Sequence, residues 1–501
     1  MRLIVNPSAK LNWPTPMYCI FALYATMAIA LPAQTLTTLH SFDGTDGQNP
    51  VGGLVQAPNG DLYGTTSGGA FGNGNVFKMT PSGTLTSLYD FCSQPDCTDG
   101  KGPQPALVQD TNGDLYGTTQ SGGASNAYCS GCGTVFRITS TGTFTTLYSF
   151  CTQPNCADGM FPIAGLVQAT NGYLYGTTSA GGANGAGTIF RITPGGTLTT
   201  LHTFCAGSCL DGNGPQATLI QADSGDLYGT AGSGGVNGGG TVFRITPSGT
   251  LTTVYSFDGA DGLHPLAGLV QAANNNFYGT TYTGGTQGLG TVFELTPSGT
   301  LTTLYNFCSL GGTLCTDGSF PVAGLVQGAN GAFYGTTQSG GAGGSGTGDG
   351  GTAFAITPSG TLTTLHNFCS TSAGGVACSD GAYPVAGLVQ DTNGKLYGTT
   401  LEGGVNSDGG IGDGTVFSIS VGLGPFVETL PASGAVGSAV KILGTNLTGA
   451  IKVTFDGAAA AFTVVSSTEI ATTVPAGAAT GTVQVITSSG TLSSNARFRV
   501  P

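Results

Sequence analysis

Seven Asp-Gly pairs are the residues of this sequence whose types and spacing best suit a binding site. They recur in loops along the chain, with the aspartates at Asp46, Asp99, Asp158, Asp211, Asp261, Asp317 and Asp380. Carboxylate oxygens are ligands that calcium prefers, so one hypothesis is a calcium or sugar site. The alternative is a plain turn, in which each aspartate bonds to its own backbone. The turn is favoured, because one aspartate per loop supplies too few ligands for a calcium cage.

Two of these loops read DGxDG and are the best calcium candidates. Their carboxylates are Asp43, Asp46, Asp258 and Asp261. The sequence indicates no other cofactor. It also contains no catalytic triad, paired carboxylates, metal-binding histidine cluster or phosphate loop, so it names no catalytic residue.

Twelve of the thirteen cysteines form close pairs along the chain, and the DGxDG loops lack them. The pairs are Cys92 with Cys97, Cys129 with Cys132, Cys151 with Cys156, Cys205 with Cys209, Cys308 with Cys315, and Cys369 with Cys378. Such local pairing in an exported chain predicts six small-loop disulfides that staple the longer loops. Zinc is the rival interpretation, but we do not expect pairs in different repeats to supply four ligands to one ion. Cys129–Cys132 also fits a redox CxxC motif, although the strand-to-helix setting of such motifs is missing.

Charge and the N-terminus predict an exported protein that does not bind nucleic acid. The net charge is −13, and no cluster of Lys and Arg exists to hold phosphate. Residues 1–33 resemble a signal peptide: Arg2 and Lys10 precede the apolar run Met17–Leu31, and Ala30 and Ala33 are candidate cleavage sites. The run has 15 residues, too few to span a bilayer. We therefore expect no membrane span after the signal is removed.

The elements that position these loops come from a repeat built around LYGTT. Its tyrosines are Tyr63, Tyr116, Tyr175, Tyr228, Tyr278, Tyr334 and Tyr397, about fifty residues apart. Each copy has an apolar run ending in Gln, an Asn-Gly-type turn, LYGTT, a glycine-rich loop, a VF strand and a final TLTTLYSF-type strand. Four short strands at this period predict the blade of a β-propeller, with the tyrosines packed between blades.

The two ends of the array predict a closed ring of seven blades. The seventh copy lacks its fourth strand after Val416–Ser420, whereas an extra one stands at Thr35–Phe42. The N-terminal strand is therefore expected to complete the last blade and to leave no open sheet edge. Three histidines (His40, His202, His366) replace tyrosine in fourth strands, which predicts packing or a hydrogen bond rather than a catalytic base.

The segment LVQATNGYLYGTTSAGGANGAGTIFRITPGGTLTTLHTF (Leu166–Phe204) resembles the GloVer (Gloeo/Verruco) tandem-repeat family. The resemblance covers roughly residues 35–420 and implies an exported bacterial protein. After Ser420, LPASGAVGSAVKILGTNL, VTFDG and TTVPAGAATGTVQVIT resemble the IPT/TIG domain, an immunoglobulin-like β-sandwich. The predicted order is signal peptide 1–33, propeller 34–420, linker 421–424 and IPT/TIG domain 425–501.

The sequence favours a non-catalytic binding or cell-surface scaffold protein that holds a glycan or a protein on a propeller face. The alternative is an extracellular hydrolase or lyase with its site in the propeller channel, which would require carboxylates or histidines near the axis. The variable loops Ala124–Gly133, Gly341–Gly351 and Gly404–Asp413 are expected on one face and the disulfide loops on the other. Phe71, Tyr128 and Tyr282 are candidates for stacking on a sugar ring.

Overall fold

The computed structural model describes residues 34–501 except 70–71, 111, 126–127, 311–314, 343–349, 371, 374–375 and 407–411. The predicted signal peptide and Phe71 lie outside the described residues. The described chain is almost entirely β-structure, with three single-turn 3₁₀ helices at Pro95–Cys97, Pro154–Cys156 and Leu447–Gly449. None of its helices is long and apolar enough to cross a lipid bilayer.

The described residues before Val421 form seven four-stranded antiparallel sheets, as predicted. The short first strands are Val55–Gln56, Val108–Gln109, Val167–Gln168, Ile220–Gln221, Val270–Gln271, Val326–Gln327 and Val389–Gln390. The second strands are Leu62–Thr66, Leu115–Thr119, Leu174–Thr178, Leu227–Ala231, Phe277–Thr281, Phe333–Thr337 and Leu396–Thr400. A two-stranded hairpin, Ser372–Ala373 with Val376–Ala377, lies in the connection to the last blade.

The third and fourth strands complete each blade. The third strands are Asn75–Met79, Thr134–Ile138, Thr188–Ile192, Thr241–Ile245, Thr291–Leu295, Thr352–Ile356 and Thr415–Ser420. The fourth strands are Leu85–Asp90, Phe144–Ser149, Leu198–Thr203, Leu251–Ser256, Leu301–Asn306, Leu362–Asn367 and, from the N-terminus, Thr35–Ser41.

The predicted closure of the ring is confirmed. Thr35–Ser41 pairs antiparallel with Thr415–Ser420 and so supplies the fourth strand of blade 7. Phe42, at the end of this strand, is fully buried and packs edge-on against Phe77 of blade 1, with ring centroids 5.5 Å apart. The N-terminal strand therefore joins the last blade to the first, and the third strand of blade 7 is not left as an unpaired edge.

Three residues of LYGTT have separate packing roles. The tyrosine is buried, and in blades 4 and 5 it stacks on the next blade, as Tyr228 does on Phe277 at 4.2 Å. The glycine leaves room for the phenylalanine ring of its own blade: a Cβ on Gly64 would collide with Phe77. The first threonine reaches the next blade, as in the bond from Thr65 Oγ1 to Pro105 O at 3.2 Å.

The C-terminal module is a two-sheet sandwich of the immunoglobulin type. One sheet contains Glu428–Leu430, Ala439–Leu443, Glu469–Thr473 and Phe462–Val464. The other contains Ala458–Ala460, Ala450–Phe455, Val483–Thr487 and Gly490–Ser493. Ile442, Val453, Phe455, Ile470 and Val485 fill the core between the sheets. This Ig-like domain confirms the predicted fold class of the C-terminal segment.

Candidate functional site

The two ends of the propeller differ in what they carry. In an antiparallel blade, the turns after the first and third strands lie at one end, which we call the turn face. The loops after the second strand and the connections between blades lie at the other end, the loop face. Hydrogen bonds show this directly: Gly123 N of a second-strand loop donates to Cys97 O of a disulfide loop at 2.9 Å. The expectation that these two loop sets occupy opposite faces was therefore wrong.

The Ig-like domain covers part of the turn face. Arg497 donates through Nη1 to Asp223 Oδ2 at 2.8 Å and to Asn275 Oδ1 at 3.1 Å. Phe426 N donates to Thr392 O at 3.2 Å. Asn495 reaches the first strands of blades 6 and 7. The loop face is therefore the propeller surface opposite the domain.

A channel of about 510 Å³ runs along the propeller axis and receives residues from all seven blades. Its lining is mainly apolar, with aliphatic residues such as Val51, Ala106, Ile163 and Leu266. Its polar side chains are amides and a hydroxyl: Gln104, Gln216 and Thr218. The described lining contains no carboxylate or histidine, which is what an acid–base site in the channel requires.

Seven glutamines, one from each first strand, form a ring where the channel meets the turn face. In four blades the glutamine Oε1 accepts a hydrogen bond from a backbone N–H of the preceding blade, from Thr170 to Gln221, Asp223 to Gln271, Ala329 to Gln390 and Thr392 to Gln56. The last of these, at 3.1 Å, crosses the seam between blades 7 and 1. These glutamines thus connect neighbouring blades around the propeller axis.

All seven loop aspartates accept a hydrogen bond from the fourth strand of the same blade. The donors are Tyr Oη or His Nε2, in the pairs His40–Asp46, Tyr89–Asp99, Tyr148–Asp158, His202–Asp211, Tyr255–Asp261, Tyr305–Asp317 and His366–Asp380. Burial raises the pKa of Tyr89 and of Tyr148 to about 12, so both hydroxyls are protonated donors at neutral pH. Histidine replaces tyrosine here because its Nε2 reaches the same carboxylate.

The calcium candidates use their oxygens locally. Asp43 Oδ1 accepts from Thr45 N at 2.9 Å and Thr45 Oγ1 at 2.7 Å, and the latter bond lowers the pKa of Asp43. Asp46 accepts from His40 through Oδ2 and from Asp43 N through Oδ1. Asp258 and Asp261 repeat this arrangement. The hydrogen bonds favour the turn interpretation over the calcium hypothesis, which no observation here tests.

Titrating calcium into the protein should therefore give neither heat nor stabilisation. Calcium would have to displace at least four local hydrogen bonds. The loop offers too few carboxylates as calcium ligands to compensate for that loss. Calorimetry, together with melting curves in about 5 mM calcium or EDTA, checks this. A saturable heat that disappears in Asp43→Asn would establish a calcium site instead.

Comparison with models of protein families identifies the family of this chain. The model of the Gloeobacter/Verrucomicrobia repeat matches residues 25–157 and 129–347. The chain belongs to the Gloeobacter/Verrucomicrobia repeat family. The IPT/TIG domain model matches residues 426–500, which include all the strands of the Ig-like domain. No curated protein matches the chain.

Several solved structures are similar to the chain to different degrees. A fungal alcohol oxidase of the AA5 family, in complex with copper, is 12% identical over 94% of this chain and 100% of its own, with a TM-score of 0.51. A protein of unknown function from Bacteroides thetaiotaomicron is 13% identical over 77% of this chain and 76% of its own, with a TM-score of 0.40. An aldose sugar dehydrogenase from Streptomyces coelicolor in its PQQ-bound form is 14% identical over 78% of this chain and 99% of its own, at 0.37. At 12% identity the likeness to the alcohol oxidase concerns the fold alone.

In this member of the Gloeobacter/Verrucomicrobia repeat family, the twelve paired cysteines form six disulfides, all on the loop face. Each predicted partner is confirmed: Cys92 with Cys97, Cys129 with Cys132, Cys151 with Cys156, Cys205 with Cys209, Cys308 with Cys315, and Cys369 with Cys378. The carbonyl groups of these cysteines also hold the second-strand loops. Gly341 N donates to Cys315 O at 3.0 Å, and Gly404 N donates to Cys378 O at 3.0 Å. The disulfide-linked segments therefore hold both the connections between blades and the second-strand loops in place.

Two of the disulfides adjoin each other. The sulfur atoms of Cys129, Cys132 and Cys151 lie within 4.8 Å of one another. The loop after the second strand of blade 2 packs against the connection that follows its fourth strand, which brings the two disulfides together; three sulfur atoms meet there, not the four ligands of a zinc site.

Exposed apolar side chains concentrate on the loop face. Among the described residues, eight large apolar side chains are exposed, and five of them belong to loop-face segments: Tyr128, Leu210, Val236, Leu310 and Val405. Val236 has 75% of its surface exposed, and its loop is tied to the Cys205–Cys209 loop through the bond from Gly235 N to Cys209 O. Of the stacking candidates, Tyr128 is exposed here, and Tyr282 packs near Phe320 at 5.2 Å.

The sequence did not lead us to two features, one in the repeat and one in the Ig-like domain. The first is the glutamine ring, although Gln closes every apolar run and recurs seven times as the sole large polar residue there. That regularity is a usable signal. The second is Glu428, at the start of the Ig-like domain, which faces the end of the channel. No local pattern distinguishes Glu428, because its position depends on how the domain docks.

Glu428 should make stability depend on pH. Burial, and to a smaller extent the charge of Asp391, raises its pKa from 4.5 to about 7. The folded protein therefore holds a proton that the unfolded chain releases, and stability falls as pH rises from 4.5 to 7. Glu428 keeps an exposed surface, so solvent screens its carboxyl and we expect only a small effect: Glu428→Gln should melt about 1 °C higher than the wild type at pH 8, and equally at pH 4. Equal melting temperatures at both pH values would place the carboxyl in bulk water.

Proposed function

We propose that the protein is an exported, non-catalytic binding protein of the cell surface that holds its partner on the loop face. The observation that carries the proposal is the concentration of exposed apolar side chains on that face, opposite the face that the Ig-like domain occupies. Singly exposed apolar residues are common on protein surfaces. Their grouping on loops of unequal length is typical of a recognition surface.

The loops of this face are held in place before binding. Disulfides close five of the seven connections, and the aspartate–aromatic pairs fix each connection to its own blade. Asp158, for example, is fully buried and accepts from Tyr148 Oη at 2.8 Å and from Thr152 N at 3.0 Å. Preformed loops lose less conformational freedom on binding, which favours affinity.

We favour a protein partner over a glycan. The exposed residues of the loop face are mainly aliphatic: Leu210, Val236, Leu310 and Val405. Aliphatic side chains bury well against another apolar protein surface, whereas sugar rings are usually stacked on aromatic ones. The hydrolase or lyase alternative has no such support, because the described channel lining offers no acid or base.

A binding screen with matched variants tests the proposal. The mature protein is applied to arrays of purified glycans and of extracellular and envelope proteins, with binding measured by surface plasmon resonance. Leu210→Asp with Val236→Asp should weaken the interaction at least about tenfold, because a charge would be buried in the interface. The control pair Val436→Asp with Ile451→Asp changes equally exposed residues of the Ig-like domain. Equal losses in both pairs, or a loss only in the control, would reject the loop face.

A further inference from the structure

The two adjoining disulfides of blade 2, Cys129–Cys132 and Cys151–Cys156, belong to loops that the fold itself holds together. Gly133 O, next to the first disulfide, accepts a hydrogen bond from Phe150 N, next to the second, at 2.9 Å. The equivalent bond, from the phenylalanine that ends the fourth strand to the glycine that precedes the third, occurs in all seven blades. The contact between these two loops is therefore part of the blade and does not depend on a disulfide.

This contact places the residue before the glycine against the first cysteine of the connection. In blade 2 these two residues are Cys132 and Cys151. In blade 6 they are Gly350 and Cys369, and a Cβ on Gly350 would lie 2.5 Å from the Cβ of Cys369. A side chain at that position of the repeat therefore meets the cysteine. Blade 2 is the one blade whose sequence has a cysteine in both places.

The sulfur atoms of Cys129, Cys132 and Cys151 are close enough to react after a small movement. They lie within 4.8 Å of one another, and rotation about χ1 of a cysteine can close such a gap. Thiol–disulfide exchange requires a thiolate that can attack one sulfur of a neighbouring disulfide. Cys156 is not in this group, so Cys151 is the sulfur that is attacked and Cys156 is the leaving group.

The four cysteines differ in their access to solvent. Cys132, Cys151 and Cys156 are buried, whereas Cys129 is half-buried and follows the exposed Tyr128. A reductant in solution therefore reaches Cys129 first. The thiolate that leaves is then Cys132, which is the sulfur placed against the second disulfide.

We propose that these four cysteines form a thiol–disulfide exchange site that responds to dithiol reductants. One thiolate of the dithiol attacks Cys129 Sγ and displaces the Cys132 thiolate; its second thiolate then frees Cys129 and closes the oxidised dithiol. Cys132 Sγ attacks Cys151 Sγ, and the bond from Cys151 to Cys156 breaks. Cys129 and Cys156 take up the two protons that the dithiol loses. Two disulfides and one dithiol thus become one Cys132–Cys151 bridge, two thiols and one oxidised dithiol.

The exchange changes how the loop face is cross-linked. The Cys132–Cys151 bridge joins the second-strand loop of blade 2 directly to the connection that follows the fourth strand. It also opens the small loop that Cys151–Cys156 closes. The exchange does not depend on the partner proposed for this face, so the two proposals fail or succeed separately.

The variant Cys129→Ser tests the exchange without any reductant, because it leaves a Cys132 thiol beside the Cys151–Cys156 disulfide. The protein is incubated at about pH 8, where a thiol is partly ionised, quenched in acid, unfolded and labelled with a maleimide. We expect about a tenth or more of the label on Cys156, since even a tenfold preference for the original bridge leaves that share. Label on Cys132 alone would overturn the proposal.

The matched control is Cys97→Ser in blade 1. It leaves a free Cys92 thiol at the position of Cys151, but the residue facing it in the repeat is Asn73 and not a cysteine. We expect label on Cys92 alone, and circular dichroism establishes that both variants are folded. Label spread over other cysteines in the control, to the same extent as in Cys129→Ser, would mean general disulfide scrambling and reject the site.

The wild-type protein gives a second, independent test. It is treated with about one equivalent of dithiothreitol, quenched and labelled as above, and its disulfides are mapped by mass spectrometry. Peptides joined through Cys132 and Cys151, with label on Cys129 and Cys156, are the expected result. Label on Cys129 and Cys132 with the Cys151–Cys156 bond intact would contradict it, and so would a Cys129–Cys132 bond that stays closed while the other disulfides open.

Discussion

Phe42→Ala should destabilise the protein as strongly as the same change inside the ring. Phe42 is fully buried and belongs to the N-terminal strand, yet it packs against Phe77 of blade 1. Removing a buried phenylalanine side chain costs about 3–5 kcal/mol, because packing is lost and a cavity remains. We expect a loss of that size in the free energy of unfolding, measured by urea denaturation with fluorescence or circular dichroism.

Phe91→Ala is the matched control for this prediction. Phe91 occupies the same position at the end of the fourth strand of blade 1, is fully buried and packs against Phe136 at 5.2 Å. Phe91 lies between blades 1 and 2, so the closure of the ring between blades 7 and 1 does not affect its packing. If Phe42→Ala were nearly silent while Phe91→Ala cost several kcal/mol, the N-terminal strand would not be closing the ring in solution.

Reduction of the six disulfides should produce the largest loss of stability. Loop-closure entropy predicts about 2 kcal/mol for each of these short loops, and thus on the order of 10 kcal/mol in total. That sum is comparable to the whole stability of an ordinary domain. We expect the urea midpoint to fall sharply in the presence of a phosphine reductant. Mass spectrometry should find six disulfides before reduction, and twelve free thiols in the exported protein would contradict the prediction.

The backbone gives a second reason to expect a large effect. Ten of the twelve cysteines have a positive φ, such as 64° at Cys205 and 53° at Cys209. Residues other than glycine adopt this region at a cost of about 1–2 kcal/mol, so an uncross-linked loop would leave it. Two double variants separate the two causes: Cys205→Ser with Cys209→Ser, and Cys205→Gly with Cys209→Gly. The glycine pair should be the more stable, because glycine accepts positive φ without this cost.

Much of the propeller could be predicted from the sequence, because each repeat encodes its own blade. LYGTT, the Asn-Gly-type turns and the final TLTTLYSF-type strand recur seven times, so the number of blades follows from counting. The displaced strand at residues 35–42 predicts the closure of the ring. Strand pairing within a blade is local, and hairpin turns set its register. The Ig-like fold was likewise predictable from its alternating residues.

The sequence would have allowed the second-strand loops and the disulfide connections to be placed on the same face, but we predicted opposite faces. The parity of four antiparallel strands puts the second-strand loops and the disulfide connections at the same end of each blade. Once this is recognised, one face carries the disulfides, the exposed apolar residues and the loops of variable length. The role of the aspartates was also only half predicted, since the donors Tyr148 and His202 belong to a different segment from the turn.

The sequence by itself determined the number of blades, their closure and the class of the C-terminal domain, because these depend on short-range patterns repeated along the chain. Only the tertiary structure decided where the Ig-like domain docks and what it encloses. The contacts that fix it join residues far apart in sequence, such as Arg497 and Asp223 or Asn495 and Gln390. Single pairs of this kind recur in no repeat and leave no periodic signal. The space between the two domains, lined by Gln109 of the propeller and Arg499 of the Ig-like domain, exists only because these two surfaces meet.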